Sequence, residues 1–333
     1  MLQRMTKLAA LTVVAAGFAV AAQAEVSLRV ASEEIFADPP KVAAQTALEH
    51  VEAQVPEVTD GEVQVTLYPN AALGSEKELI KAVAEGTVDA TIMSPGNAAG
   101  LIPEMQVFSA SYLFKDYDHV RAVISDEEFF STMKDLVADK DLGFQLAGIG
   151  LTGTRNLYNR VKTVSGMEDL EGLKMRVMSS PTEFKVWSEL GTLPTNIAAP
   201  EIYTSLQTGV VDAAESSLPA IAGNKYYEVA PNITLTHHQF NLHFLFISDA
   251  ALDKIPEDHH DAVMGVFREA GLREIDAAEA LSEKVLEDLR ERPGVTVTDV
   301  DTTPFANKLS AIQDEVAADL GMKPVLDLIR SKR

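Results

Sequence analysis

The chain has 333 residues, with 28 basic side chains against 50 acidic ones, a net charge of −22 and no cysteine. So acidic a surface repels nucleic acid and anionic lipid, which excludes both as partners. With no disulfides to staple it, the fold must rest on a buried core, and the length is sufficient for two lobes that each bury one.

At the start, Arg4 and Lys7 precede an apolar run from Leu8 to Ala21, and Ala22-Gln23-Ala24 offers small residues for cleavage. This is the pattern of a secretory signal peptide over 1–24, cut after Ala24, and without a lipobox cysteine the mature chain is expected free in the periplasm. Its loss removes two basic residues and no acidic ones, leaving 26 minus 50, or −24. Val26 to Ala31 reads as a strand, Lys41 to Gln54 as a helix, and Glu62 to Tyr68 as an alternating strand. Ser75 with Glu78 three residues on forms a capping box, and Ala90 to Ser94 is a third strand ended by Pro95-Gly96. Strands interleaved with helices define an α/β protein, and the lack of a polar linker predicts lobes joined by strands.

Gly148, Gly150 and Gly153 spell a G-x-G-x-x-G, but Thr154 to Asn159 reads as strand or turn, where a dinucleotide site needs a helix N-terminus. The expectation is a strand crossing between lobes, with glycines that let the backbone pivot. Trp187 falls at helical spacing with Phe184 and Leu190 and reads as core. His237-His238, His259-His260 and His243 show no metal-ligand spacing, so surface or supporting roles are expected and no metal is assigned. Pro256 to Glu291 forms a long helical pattern with apolar positions at Val263, Val266, Ala270 and Leu281, its charges reading as a solvated face. Asp299 and Asp301 open like a calcium loop, but Thr303 and Pro304 stand where an acid and the turn glycine belong, leaving loop acids. No G-x-S-x-G elbow occurs, and no catalytic residue or cofactor is assigned.

Arg176 stands alone among Met175, Val177 and Met178, a cation on an apolar strand. A guanidinium cannot transfer protons at neutral pH, so its natural work is the bidentate recognition of a planar acid group. An anionic solute is repelled by the acidic body as a whole and needs a local cationic site. Arg155 is the second such candidate. The competing assignment for either is an ion pair with a neighbouring acid.

Several segments carry a family pattern: DLEGLKMRV (Asp169 to Val177), LPTNIAAP (Leu193 to Pro200), EIYTSLQTGVVDA (Glu201 to Ala213), LYPNAALGSEKELIKAVAEGTVDATIMSP (Leu67 to Pro95) and YLFKDYDHVRAVI (Tyr112 to Ile124). In this order they resemble the substrate-binding subunits of tripartite ATP-independent periplasmic (TRAP) transporters. The resemblance implies a two-lobed, type II-like periplasmic binding fold with an interlobe cleft, strand hinges and a long helix spanning both lobes. Lobe I is then expected at 25–150 and 238–275, and lobe II at 151–237 and 276–333. It assigns the ligand-clamping arginine to Arg176, carries a second basic contact onto Arg155, and implies as partners a small organic anion or zwitterion, carboxylate or sulfonate, and the small and large membrane subunits. Transport driven by an ion gradient asks neither ATP nor a metal of this chain.

Two departures bear on the ligand. Glu215 is kept, but Ser216 replaces the asparagine common in the family, and a hydroxyl is shorter with one donor instead of two. The paired Glu33-Glu34 resembles the subset that binds zwitterionic or hydroxylated solutes such as ectoine, with Glu34 meeting a cation or hydroxyl. Ser94 and Asn97, at a strand's C-terminal end, and Phe240 and Asn241, on a strand returning from the second lobe, complete the expected lining. A receptor for a sensor kinase, an ABC-type solute receptor and a periplasmic enzyme are the competing classes.

Overall fold

The structure, a computed structural model, describes residues 26–38 and 41–333. The signal peptide and its cleavage site lie outside the described residues. The strands are β1 (Val26–Ala31), β2 (Val63–Tyr68), β3 (Ala90–Met93), β4 (Phe144–Asn159), β5 (Lys174–Val177), β6 (Leu193–Asn196), β7 (Ala213–Ser217), β8 (Asn232–Ser248) and β9 (Thr296–Asp299). They run in the order β2-β1-β3-β8-β4-β7-β5-β6, with β9 beside β8.

Two long antiparallel strands make this order into two lobes. The C-terminal end of β8 pairs with β3, which leads on to the parallel β1 and β2. The C-terminal end of β4 pairs with β7, followed by the parallel β5 and β6. Among the described strands only β4 and β8 continue through both halves, and both cross covalently between the lobes. Their pairing slips at Leu146/Gly148, Leu151/Gly153 and Arg155/Leu157. Bulges of this kind bend a strand pair and re-aim its side chains.

The helices bury one face each. In Ala43–Val58 the buried Ala44, Ala47, Leu48, Val51 and Val55 recur at three- and four-residue steps, a stripe that packs on the first lobe's sheet. The predicted capping box forms, with the Ser75 N–H donating to Glu78 Oε2 at 2.8 Å. Pro95 opens a short helix, Pro95–Ala98, where the sequence predicted only a turn. Trp187 is core as expected, although its helical neighbour Phe184 is half exposed.

The helix His260–Glu291 has 32 residues, about 48 Å at 1.5 Å per residue. It packs against Ala43–Val58 in the first lobe, along β4, and against Leu218–Gly223 and β9 in the second. Two expectations change here. Its charges are not all a solvated face, because Glu274 is fully buried. Nor are Gly148 and Gly150 pivots: a Cβ at Gly148 would sit 2.4 Å from Phe267 O, and one at Gly150 would sit 2.1 Å from Glu274 Oε2. These glycines let the long helix press onto β4; of the three, only Gly153, at φ +121°, adopts a backbone that favours glycine.

The last two helices straddle the lobes. Thr303–Asp319 packs on both Pro181–Glu189 and Pro103–Ser109, and Lys323–Ser331 packs on Glu127–Ala138, with His119 Nε2 2.8 Å from Ile329 O. Part of the segment expected in lobe II therefore rests on lobe I.

Candidate ligand-binding site

Between the lobes lies a cavity of about 250 Å³. The strands β1, β3, β5 and β7 all end at it, which is where open α/β sheets gather ligands. Of the residues singled out in the sequence, Arg176, Arg155, Ser216, Glu34, Ser94, Asn97 and Asn241 line it. Glu215 and Phe240 do not: Glu215 lies behind the wall against Arg155, and the Phe240 ring packs edge-on against Tyr117 at 5.2 Å.

The two arginines differ in what they have left to give. On β5, Met175 and Val177 face the core while Arg176, between them, faces the cleft, the period-two alternation of a strand. Only 3% of Arg176 is exposed. Its Nε donates to Ile197 O at 2.8 Å, and no described residue accepts from its terminal nitrogens. Arg155, by contrast, donates through Nη2 to Glu215 Oε1 at 2.6 Å and to Glu215 O at 2.7 Å, and through Nε to Glu215 Oε2. Burial pushes the Glu215 carboxyl up, but the Arg155 charge overrides it and holds the group down at about 2. Arg155 is thus fixed by an acid of its own lobe, as the ion-pair alternative anticipated, with Nη1 alone uncommitted.

Behind this pair stands His238. A four-residue stretch of β8 loops out between Thr234 and Gln239, with His237 at φ 41°, and this turns His238 inward to 3.3 Å from Glu215 Oε2. Burial lowers its pKa, so it stands neutral between Thr236 and Trp187.

Of the surface and supporting roles expected for the histidines, His243 takes a supporting one. It is buried, lines the cleft, and its Nδ1 lies 2.7 Å from Glu274 Oε1 on the long helix. Burial disfavours its charge, but Glu274 reverses the effect and raises it to about 9, so the pair is ionic. Glu33, Glu76, Met178 and Tyr226 also line the cavity and were absent from the predicted set.

The first lobe supplies an acidic wall. Glu76 Oε2 accepts from the Ser94 hydroxyl at 2.5 Å, the Ser94 N–H at 3.1 Å and Asn97 Nδ2 at 2.8 Å. Glu33 Oε2 accepts the Glu76 N–H at 2.9 Å. Burial, with the Glu33 charge adding to it, raises Glu76 to about 7, and burial raises Glu33 and Glu34 as well. Ser94 and Asn97 are therefore committed to Glu76 more than to the open cavity. Across the cleft the Ser179 N–H reaches Asn97 Oδ1 at 3.4 Å, and Lys77 Nζ reaches Asn196 Oδ1 at 3.4 Å. Among the described residues no group of acids and histidines has the geometry of a metal site, and no helix is long and apolar enough to cross a membrane.

Residues 36–319 match the model for bacterial extracellular solute-binding proteins, family 7. A solute-binding protein of Sulfitobacter sp. (strain NAS-14.1) is 32% identical over 319 residues, 95% of this chain and 94% of that one. Among solved structures, a TRAP periplasmic solute-binding protein of Sulfitobacter sp. NAS-14.1 with bound alpha-D-taluronate is 30% identical at a TM-score of 0.85, covering 93% of this chain and 98% of that one. One from Sulfurospirillum deleyianum with bound succinate is 25% identical at a TM-score of 0.84, covering 93% and 99%. With its two-lobed fold and interlobe cleft, this chain belongs to the family of bacterial extracellular solute-binding proteins, family 7, the periplasmic binding proteins of TRAP transporters.

Proposed function

We propose that this chain captures a small organic acid in the cleft, with Arg176 holding the acid group, and that its closed form delivers the solute to the small and large membrane subunits of a TRAP transporter. The carrying observation is the state of Arg176: buried, hydrogen-bonded through Nε alone, and without a carboxylate of its own. A buried cation left unpaired is costly, and a carboxylate bound bidentately to its free edge removes that cost. Arg155 Nη1 offers a second donor from the same lobe, and Ser216 and Asn241 offer shorter polar contacts beside it. The relatives bound to taluronate and to succinate support an acid as the common requirement. Capture without turnover suits a site whose free cation cannot move protons. Secretion with a leader removed after Ala24 suits an extracellular family.

Thermal-shift screening of organic acids, sulfonates and neutral sugars, followed by calorimetry on the hits, tests this reading. Acids should stabilise the protein and neutral sugars should not. Arg176→Lys should weaken binding at least about a hundredfold, because a single ammonium cannot reproduce the fork, while the ligand-free melting temperature stays nearly unchanged. Native-like affinity in that variant overturns the role given to Arg176.

A further inference from the structure

We propose that Glu34 makes this cleft select hydroxylated monoacids and reject dicarboxylates; the inference rests on Arg176 as the holder of the ligand's acid group. Glu34 is placed firmly by its backbone, whose N–H donates to the Ser32 hydroxyl at 3.1 Å and whose carbonyl accepts from the Asn70 N–H at 2.9 Å. Its carboxylate, by contrast, lines the cavity and accepts no hydrogen bond from any described residue. Glu33 and Glu76 each take their protein donors on Oε2, which leaves Glu33 Oε1 and Glu76 Oε1 also without one. The wall of the first lobe is thus rich in free acceptors; Ser94 and Asn97 are already engaged by Glu76, while Asn70 Nδ2 and His243 Nε2, on residues that also line the cavity, have no acceptor among the described residues.

The cations offset this wall only in part, since burial still raises Glu33, Glu34 and Glu76 against the pull of the His243 charge. Arg155 is neutralised by Glu215 and His243 by Glu274, so Arg176 holds the one uncommitted guanidinium edge among the described residues lining the cavity. A solute entering the cleft meets a cation on one side and acceptors on the other. A dicarboxylate that places one acid group on Arg176 brings the second toward Glu33, Glu34 and Glu76. A like-charge contact at about 4 Å in a partly buried site costs up to about a thousandfold in affinity where the wall carboxyl is ionised; Glu76, held at about 7, is ionised only in part at neutral pH. Hydroxyl groups at that end instead donate to the free oxygens and satisfy them. The acceptors also sit on two segments, Glu33 and Glu34 after β1 and Glu76 at the start of the helix Glu76–Ala84. A single ammonium can address one such place, while a chain of hydroxyls can address several.

The test is calorimetry at neutral pH with hexuronates and aldonates as hydroxylated monoacids, succinate and malonate as dicarboxylates, and amino acids as zwitterions, on the wild type, Glu34→Gln and Arg176→Met. The wild type should bind at least one hydroxylated monoacid and prefer it to succinate by a hundredfold or more, about 2.7 kcal/mol. Glu34→Gln removes the charge at constant shape and should cut that ratio at least about tenfold, half the preference on a logarithmic scale. A wild type that binds succinate as well as the sugar acids, or an amino acid better than either, overturns the proposal. So does an unchanged ratio in Glu34→Gln. In each of those cases a loss of binding in Arg176→Met leaves the Arg176 reading standing, whereas unaltered acid binding in Arg176→Met overturns both.

Discussion

Replacing Glu274 by glutamine probes the ion pair under the cleft floor. Side-chain exposure of the two partners is 1% for His243 and 0% for Glu274, so solvent screening needs no discount. The rise of His243 from 6.5 to about 9 corresponds to about 3 kcal/mol, at about 1.4 kcal/mol per unit. Because the fold favours the charged imidazole, this stability is fully present below the unfolded value of 6.5 and is lost as pH rises through about 9. Glutamine keeps the shape at 274 and removes the largest influence that raises His243, leaving only the charges of Glu76 and Glu34 against burial. Urea unfolding of the ligand-free protein should therefore show the variant about 3 kcal/mol less stable at roughly pH 6, in line with the cost of breaking a buried pair. The two should converge near roughly pH 10, with the wild-type decline between those limits missing from the variant. A variant within about 0.5 kcal/mol of wild type at the lower pH, or parallel pH slopes, refutes the ionic assignment.

Gly271→Ala places a Cβ 2.3 Å from Ile149 O on β4; thermal and urea unfolding should show a loss of about 3 kcal/mol, the upper part of the overpacking range, and a neutral outcome contradicts the close helix–strand approach. Glu76→Gln should stabilise the ligand-free protein at roughly pH 8 by up to about 3 kcal/mol and leave it unchanged at roughly pH 4. The fold keeps this proton up to about 7 while the unfolded chain releases it near 4.5, so stability is lost as pH rises through that window. An amide oxygen can take the place of Oε2, which receives the bonds from Ser94 and Asn97; destabilisation at the higher pH refutes the argument.

What the sequence revealed depended on how local the signal was. Arg176 was legible because an arginine between Met175 and Val177 violates the strand's apolar pattern within three positions, and the strand alternation then decides which way it faces. Ser75 and Glu78 were legible for the same reason, a cap being a spacing of three. His243 and Glu274 lie on different elements 31 residues apart and become partners only when the long helix docks on β8. In sequence one is a histidine near a pair of others and the other a glutamate among many helical charges. Gly148 and Gly150 carried a correct sign of special backbone with the wrong cause, because a glycine that admits a neighbouring helix is written like one that bends. Likewise Arg155 reads like Arg176 in sequence; Glu215, pairing from β7, decides how much of its guanidinium is left.

An acidic protein that is to hold an acid must leave a cation uncommitted without losing the fold to it. The two other cleft cations are tied where the crossing strands need stiffness: Arg155 to Glu215 joins β4 to β7, and His243 to Glu274 joins β8 to the helix that runs past both lobes. Of the contacts between the lobes near the cleft, Ser179 to Asn97 and Lys77 to Asn196 are both 3.4 Å, long for hydrogen bonds, and Ser109 Oγ to Glu183 Oε1 is 3.2 Å. A solute with its acid group on Arg176 and its other end on Glu33, Glu34 and Glu76 touches both lobes at once, and an equilibrium between open and closed forms moves only by such differential contacts. On the proposed roles of Arg176 and Glu34, selectivity and closure belong together: a ligand that satisfies Arg176 but is repelled by the acidic wall gains nothing from closing the cleft, so rejection of the wrong acid and failure to close are one event.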